Sequence, residues 1–157
     1  MPITAGHRRK ISVIAGLSLS PVTRQPGLYF EAAPDRHFRA TDVATFVRHL
    51  LRHLRGRVIL VWDNGAMHKG TPIRQLLADF PRLSIEYLPP YAPTLNPVEQ
   101  LWNHLKYGAL ANFVPRDLDE LDDRAFDWLI DAKFDHERLR SCYNNTPLTK
   151  AIGKPVF

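Results

Sequence analysis

Val58-Ile59-Leu60-Val61-Trp62-Asp63-Asn64-Gly65 is an unbroken apolar run, then a carboxylate, then a turn. The run reads as a β-strand buried on both faces. Asp63 falls at its carboxyl end, where open α/β sheets place their ligands. The same three residues, Asp63-Asn64-Gly65, also read as plain turn chemistry. Upstream, Ile11–Leu19 and Leu28–Ala32 predict two strands, with Gln25-Pro26-Gly27 as the turn of an antiparallel pair. Thr41 opens a helix whose apolar stripe is Val43, Phe46, Val47, Leu50, Leu51 and Leu54, and Gly56 stops it. Downstream come a short helix over 71–79 with Pro72 in its first turn, a strand over Leu83–Leu88 and a helix opened by Asn96-Pro97. A last helix over 117–132 has an acidic exposed side, and 144–157 read as an irregular tail. The order β-β-α-β-α-β-α-α predicts an α/β layered domain with a mixed sheet.

The chain has 157 residues, the size of one domain. No apolar run approaches the roughly 18 residues of a membrane span, and the first ten residues lack an apolar signal segment. The lone Cys142 makes no intrachain disulfide and fits a reducing, cytoplasmic location. Charge is uneven: residues 1–116 hold 15 Lys/Arg against 7 Asp/Glu, and residues 117–157 hold 6 against 9. An Arg-rich basic part suits a polyanion such as DNA, while charge of this size also serves simple solubility.

A second carboxylate, Glu99, stands in Leu88-Pro89-Pro90-Tyr91-Ala92-Pro93-Thr94-Leu95-Asn96-Pro97-Val98-Glu99-Gln100-Leu101-Trp102. Asn96 is a good N-cap and Glu99 falls at N3, so a structural capping box is one reading. The other is that the helix start aims Glu99 at the strand end, where it and Asp63 would share a hard divalent cation. Carboxylates holding two such cations roughly 3.5–4 Å apart serve phosphodiester chemistry. No Cys-x-x-Cys, His-Glu-x-x-His, P-loop or Gly-x-Gly-x-x-Gly offers a competing site. His68 would contact the phosphate or carry a proton, or is a plain loop histidine. Lys69, Lys106 and the Arg48, Arg52 and Arg55 face are candidate DNA contacts, with a solvated surface as the alternative. Asn64, Tyr91, Asn96 and Asn103 are candidate cleft residues, and Trp102 reads as core.

Val61-Trp62-Asp63-Asn64-Gly65 with His68, followed by the Leu88–Trp102 segment, resembles the DDE catalytic domain of mariner-related bacterial insertion-sequence transposases. Thirty-five residues separate the two acids. The resemblance runs from about Arg9 to about Leu129. It implies an RNase H-like fold, a mixed sheet flanked by helices. It also implies Mg²⁺- or Mn²⁺-dependent DNA strand cleavage and transfer, with Asp63 and Glu99 as the second and third acids of the triad. The implied partners are transposon ends and target DNA, together with a homo-oligomer or a missing N-terminal transposase segment. The family's first Asp lies on an earlier strand, and no acid precedes Glu31 here. That strand would sit centrally, between Ile11–Leu19 and Val58–Trp62. The expectation is a partial catalytic domain over 1–157, N-terminally truncated and inactive alone. The alternative is a non-catalytic DNA-binding or subunit-interaction module. A metal-dependent hydrolase of small phosphoesters is a third reading, disfavoured by the Arg-rich part.

Overall fold

A computed structural model describes residues 11–34 and 36–147. Strands β1 (Ile11–Leu19) and β2 (Pro26–Pro34) form an antiparallel hairpin in which Ala15 faces Phe30. The turn is Ser20–Gln25, closed by hydrogen bonds between Ser20 and both Arg24 and Gln25. Pro26 and Gly27, expected in the turn, lie instead in β2. The Ser20 hydroxyl accepts from the N–H groups of Val22 and Thr23 and so turns the chain earlier. Helix α1 (Ala40–His53) is followed by β3 (Val58–Trp62), α2 (Thr71–Asp79) and β4 (Leu83–Tyr87). β3 and β4 are parallel neighbours joined through α2, the crossover that a parallel pair requires. Then come α3 (Pro97–His104), a π-helical turn over Leu105–Ala109, α4 (Leu118–Phe134) and α5 (His136–Asn144). The sequence reading missed α5, whose apolar positions are few; the Asp135 side chain caps it by accepting from the Arg138 N–H at 2.9 Å.

Among the described residues the two strand pairs share no backbone ladder, so the mixed sheet is present as two halves. α1 crosses the same face of both. Val43, Phe46, Val47 and Leu51 pack with Ile14 and Tyr29 of the hairpin and with Val58, Leu60 and Ile85 of the parallel pair. The hairpin's other face is covered by Leu101 of α3, Leu129 and Ala132 of α4, and Leu139 and Cys142 of α5. No such cover reaches β3. Ile59 is 67% exposed and Val61 40%, which corrects the expectation of a strand buried on both faces. The physical reason is placement: α3, α4 and α5 spend their apolar faces on the hairpin. Among the described residues no strand links the hairpin to the parallel pair, the link that the resemblance assigns to a central strand.

Arg82 joins the halves of the parallel unit. Its guanidinium donates to the carbonyls of Leu54 (2.9 Å), Gly56 (2.8 Å) and Leu51, satisfying carbonyls that the end of α1 leaves without helical partners. Gly56 carries φ +73° just beyond that end, a conformation glycine adopts without steric cost. Arg82→Ala is expected to cost about 2 kcal/mol, because hydrogen bonds from a charged donor are lost. A fall in Tm of about 6 °C in a thermal melt checks it.

α4 begins with Asp117, whose carboxylate accepts from the Glu120 N–H at 2.8 Å. Its exposed side carries Asp119, Asp123, Asp127 and Asp131, as expected, and Ile130 and Phe134 are exposed as well. Asp122 is turned inward, with Oδ1 buried and unpartnered among the described residues. Burial, with Asp123 and Asp119 nearby, raises its pKa above 3.8. A raised carboxylate destabilises the fold when ionised, and the cost fades as pH falls through its range. Asp122→Asn is therefore expected to raise Tm by a few degrees at pH 7, with the gain shrinking toward pH 4.

Candidate active site at the ends of β3, β4 and α3

The loops that leave β3 and β4, together with the start of α3, enclose a cleft of about 380 Å³ lined by Asp63, Asn64, Tyr91, Asn96 and Glu99 among others. The parallel pair brings its two carboxyl ends to one side, and Asn64 ties them by donating its side-chain N–H to the Leu88 carbonyl at 3.0 Å. The chain then passes through Pro89 to Pro93 and a 3₁₀ turn, Pro93–Leu95, into α3. Leu101, fully buried, anchors α3 against the hairpin, which sets where the helix start and Glu99 sit.

Asp63 is held from behind and open in front. Its Oδ1 accepts from the Gly65 N–H at 2.8 Å and lies 2.8 Å from His68 Nδ1. Its side chain is 63% exposed, and Oδ2 faces no protein donor among the described residues. His68 in turn is fixed by its ring, stacked on Trp62 at 4.3 Å and nearly parallel, and by its carbonyl, which accepts from the Tyr87 hydroxyl at 2.9 Å. The histidine is thus placed to orient Asp63. On the reading of Asp63 as a metal ligand, His68→Ala is expected to weaken metal affinity 10- to 100-fold, as is typical when a ligand loses its orienting partner. Calorimetric titration with Mn²⁺ checks it, and His68→Asn should restore part of the loss.

Glu99 is released from the cap. Asn96 caps α3 by accepting from the Val98 N–H at 3.2 Å, but the Asn96 N–H donates to the Pro93 carbonyl at 3.0 Å. The reciprocal half of a capping box is therefore occupied by backbone, and the Glu99 carboxylate has no protein partner among the described residues. The structural reading of Glu99 as one arm of a capping box gives way on this point. Both carboxylates are hard oxygen donors lining one cleft, a donor set that suits Mg²⁺ or Mn²⁺. Among the described residues no third His, Cys, Asp or Glu joins them.

The remaining sequence candidates divide. Asn64, Tyr91 and Asn96 line the cleft. Asn103 and Lys106 are exposed on α3 and the turn after it and do not line it. Lys69 lies over the Tyr87 ring at 5.8 Å. Arg48 pairs with Asp79 of α2 and lies over Phe80, so it joins two helices. Arg52 and Arg55 are exposed on and just beyond α1. Trp102 packs on the core as expected. Cys142 is buried, and burial pushes its thiol up to about 11, far from a nucleophile's range. Sequence reasoning missed Tyr87 and Gly65; the glycine lets the loop close on Asp63, since a Cβ there would come within 2.9 Å of Asp63 Oδ1.

Residues 4–122 match the family described as DDE superfamily endonuclease. The chain belongs to that family. The fold of this DDE endonuclease domain is that of a transposase catalytic domain. The crystal structure of the catalytic domain of Mos1 mariner transposase superposes with TM-score 0.64 at 18% identity, over 93% of this chain and 79% of that one. The Mos1 catalytic domain with Raltegravir and Mn gives 0.63 at 20% identity, over 93% and 80%. The Mos1 paired-end complex with the left transposon end gives 0.63 at 18% identity, over 94% of this chain and 53% of that one. No match among curated proteins was found. Among the described residues no helix is long and apolar enough to cross a membrane.

Proposed function

We propose that this DDE domain is the catalytic part of a DNA transposase, cutting and joining phosphodiester bonds with Mg²⁺ or Mn²⁺ held by Asp63 and Glu99. The observation that carries the reading is the convergence of Asp63, with Oδ2 open, and Glu99, free of its cap, on one cleft. Similar folds have been solved with Mn and with a transposon end, which supports both the metal and the DNA. A divalent cation there would activate the attacking oxygen and stabilise the leaving one. His68 holds Asp63 in orientation, and Asn64 keeps the two loops together. Arg52, Arg55, Lys69 and Lys106 would meet flanking phosphates, and the chain would act as a single catalytic domain, working in a homo-oligomer.

The lack of a ladder between the two strand pairs among the described residues bears on completeness. A strand added between β1 and β3 would pair with both and end beside Asp63. Carried by a segment beyond the described residues or by a separate chain, it would bring a third carboxylate. A non-catalytic DNA-binding or subunit-interaction module is the second reading, since among the described residues only two acids meet at the cleft.

The experiment is Mn²⁺- or Mg²⁺-dependent nicking of DNA carrying the element's ends, by the chain alone and with the upstream-encoded segment added. Cleavage in either arm that is lost in Asp63→Ala supports the enzyme. Cleavage only with the segment identifies it as the source of the third acid. DNA binding without cleavage in both arms supports the module.

A further inference from the structure

Tyr91 lines the cleft, yet neither the metal chemistry of Asp63 and Glu99 nor the packing of the fold uses it. It stands in Pro89-Pro90-Tyr91-Ala92-Pro93, and its backbone is left-handed, with φ +58°. A proline followed by a residue of positive φ is the order of a type II turn, whose second central position normally takes glycine or asparagine. A bulky side chain is a steric outlier there. The ring gives the fold nothing in return. It is fully exposed and makes no hydrogen bond, ion pair or ring contact with the described residues. Three prolines within five residues restrict the backbone of the loop, so the chain presents Tyr91 at the rim of the cleft. Backbone strain of this kind gathers at functional positions.

We infer that Tyr91 is a stacking platform for an unpaired nucleobase beside the phosphate that Asp63 and Glu99 engage. The inference rests on the DNA reading above and adds the form of the substrate. An exposed aromatic face accepts any base, because every base has a π-face. It does so only when that base has left its own stack, so the nucleotide beside the reacting bond is unpaired when bound. The phenol oxygen has no partner to place it, so the ring carries the function and the hydroxyl does not.

The test uses two duplexes of one sequence, fully paired or with a single unpaired 2-aminopurine, titrated with the full chain in Ca²⁺. Wild type is expected to bind the unpaired duplex about tenfold tighter and to quench its fluorescence. Tyr91→Ala should lose both the preference and the quenching, while Tyr91→Phe and Tyr91→Trp keep them. Tyr91→Gly separates the ring from the fold: relief of the positive φ should raise Tm, and the preference should still disappear. Retention of preference and quenching in Tyr91→Ala would overturn the inference, as would equal binding of both duplexes by wild type. Failure of wild type to bind either duplex would overturn the DNA reading itself, and this inference with it.

Discussion

Asp63→Ala and Glu99→Ala should each lower metal-dependent strand cleavage by at least about 10³-fold, the largest effect expected of any single change in this chain. Removing a ligand takes away both the cation's position and the charge it brings to the developing oxyanions, and electrostatic stabilisation of that kind is usually the largest part of catalysis. Neither residue supports the core. Asp63 is exposed and Glu99 has no protein partner among the described residues, so the melting temperature should move by no more than a degree or two. Calorimetry should show weakened Mn²⁺ binding for both variants, a readout that does not depend on turnover. Wild-type Mn²⁺ affinity in either variant would mean that the cation is held elsewhere. DNA affinity in Ca²⁺ should change little, since the basic residues remain.

The second large effect is structural. Leu101→Ala should cost about 3–4 kcal/mol, within the range for truncating a fully buried leucine, and lower Tm by about 10 °C. Leu101 is wholly buried between α3 and the hairpin, against the cluster that includes Leu28, Leu129 and Leu139. It also lies two residues beyond Glu99 on the same helix. A cavity there loosens the one element that carries that carboxylate, so metal affinity should fall together with stability. Trp102→Ala, at a partly buried neighbour, should be milder on both counts. If Leu101→Ala melts normally, α3 is not anchored as described and the position of Glu99 needs another cause.

The site was legible in outline because each half is encoded locally. Asp63 follows its apolar strand, and Asn96-Pro97 announces the helix that bears Glu99. The release of Glu99 from its cap was not legible. It depends on the Asn96 N–H turning to Pro93, a backbone choice made by the 3₁₀ turn between the strand and the helix. Likewise His68 read as a phosphate contact or proton carrier, or as a plain loop histidine, and only its stacking on Trp62 and its contact with Asp63 reveal an orienting role. The basic residues show the reverse. Arg48, Arg52 and Arg55 form one group by spacing, yet α2 takes Arg48 as a partner and leaves the other two to solvent.

Alone, the sequence determined the order of strands and helices through α4 and the family, because periodicity, capping residues and a long motif are all local signals. Tertiary structure decided how the strands group: a hairpin and a parallel pair under one helix, with no ladder between them among the described residues. It also decided which faces are covered. Val58–Trp62 has the composition of a strand buried on both sides, but burial is set by what packs on it, and α3, α4 and α5 pack on the hairpin instead. An apolar strand records the environment it can enter, and only the neighbours present determine the environment it has.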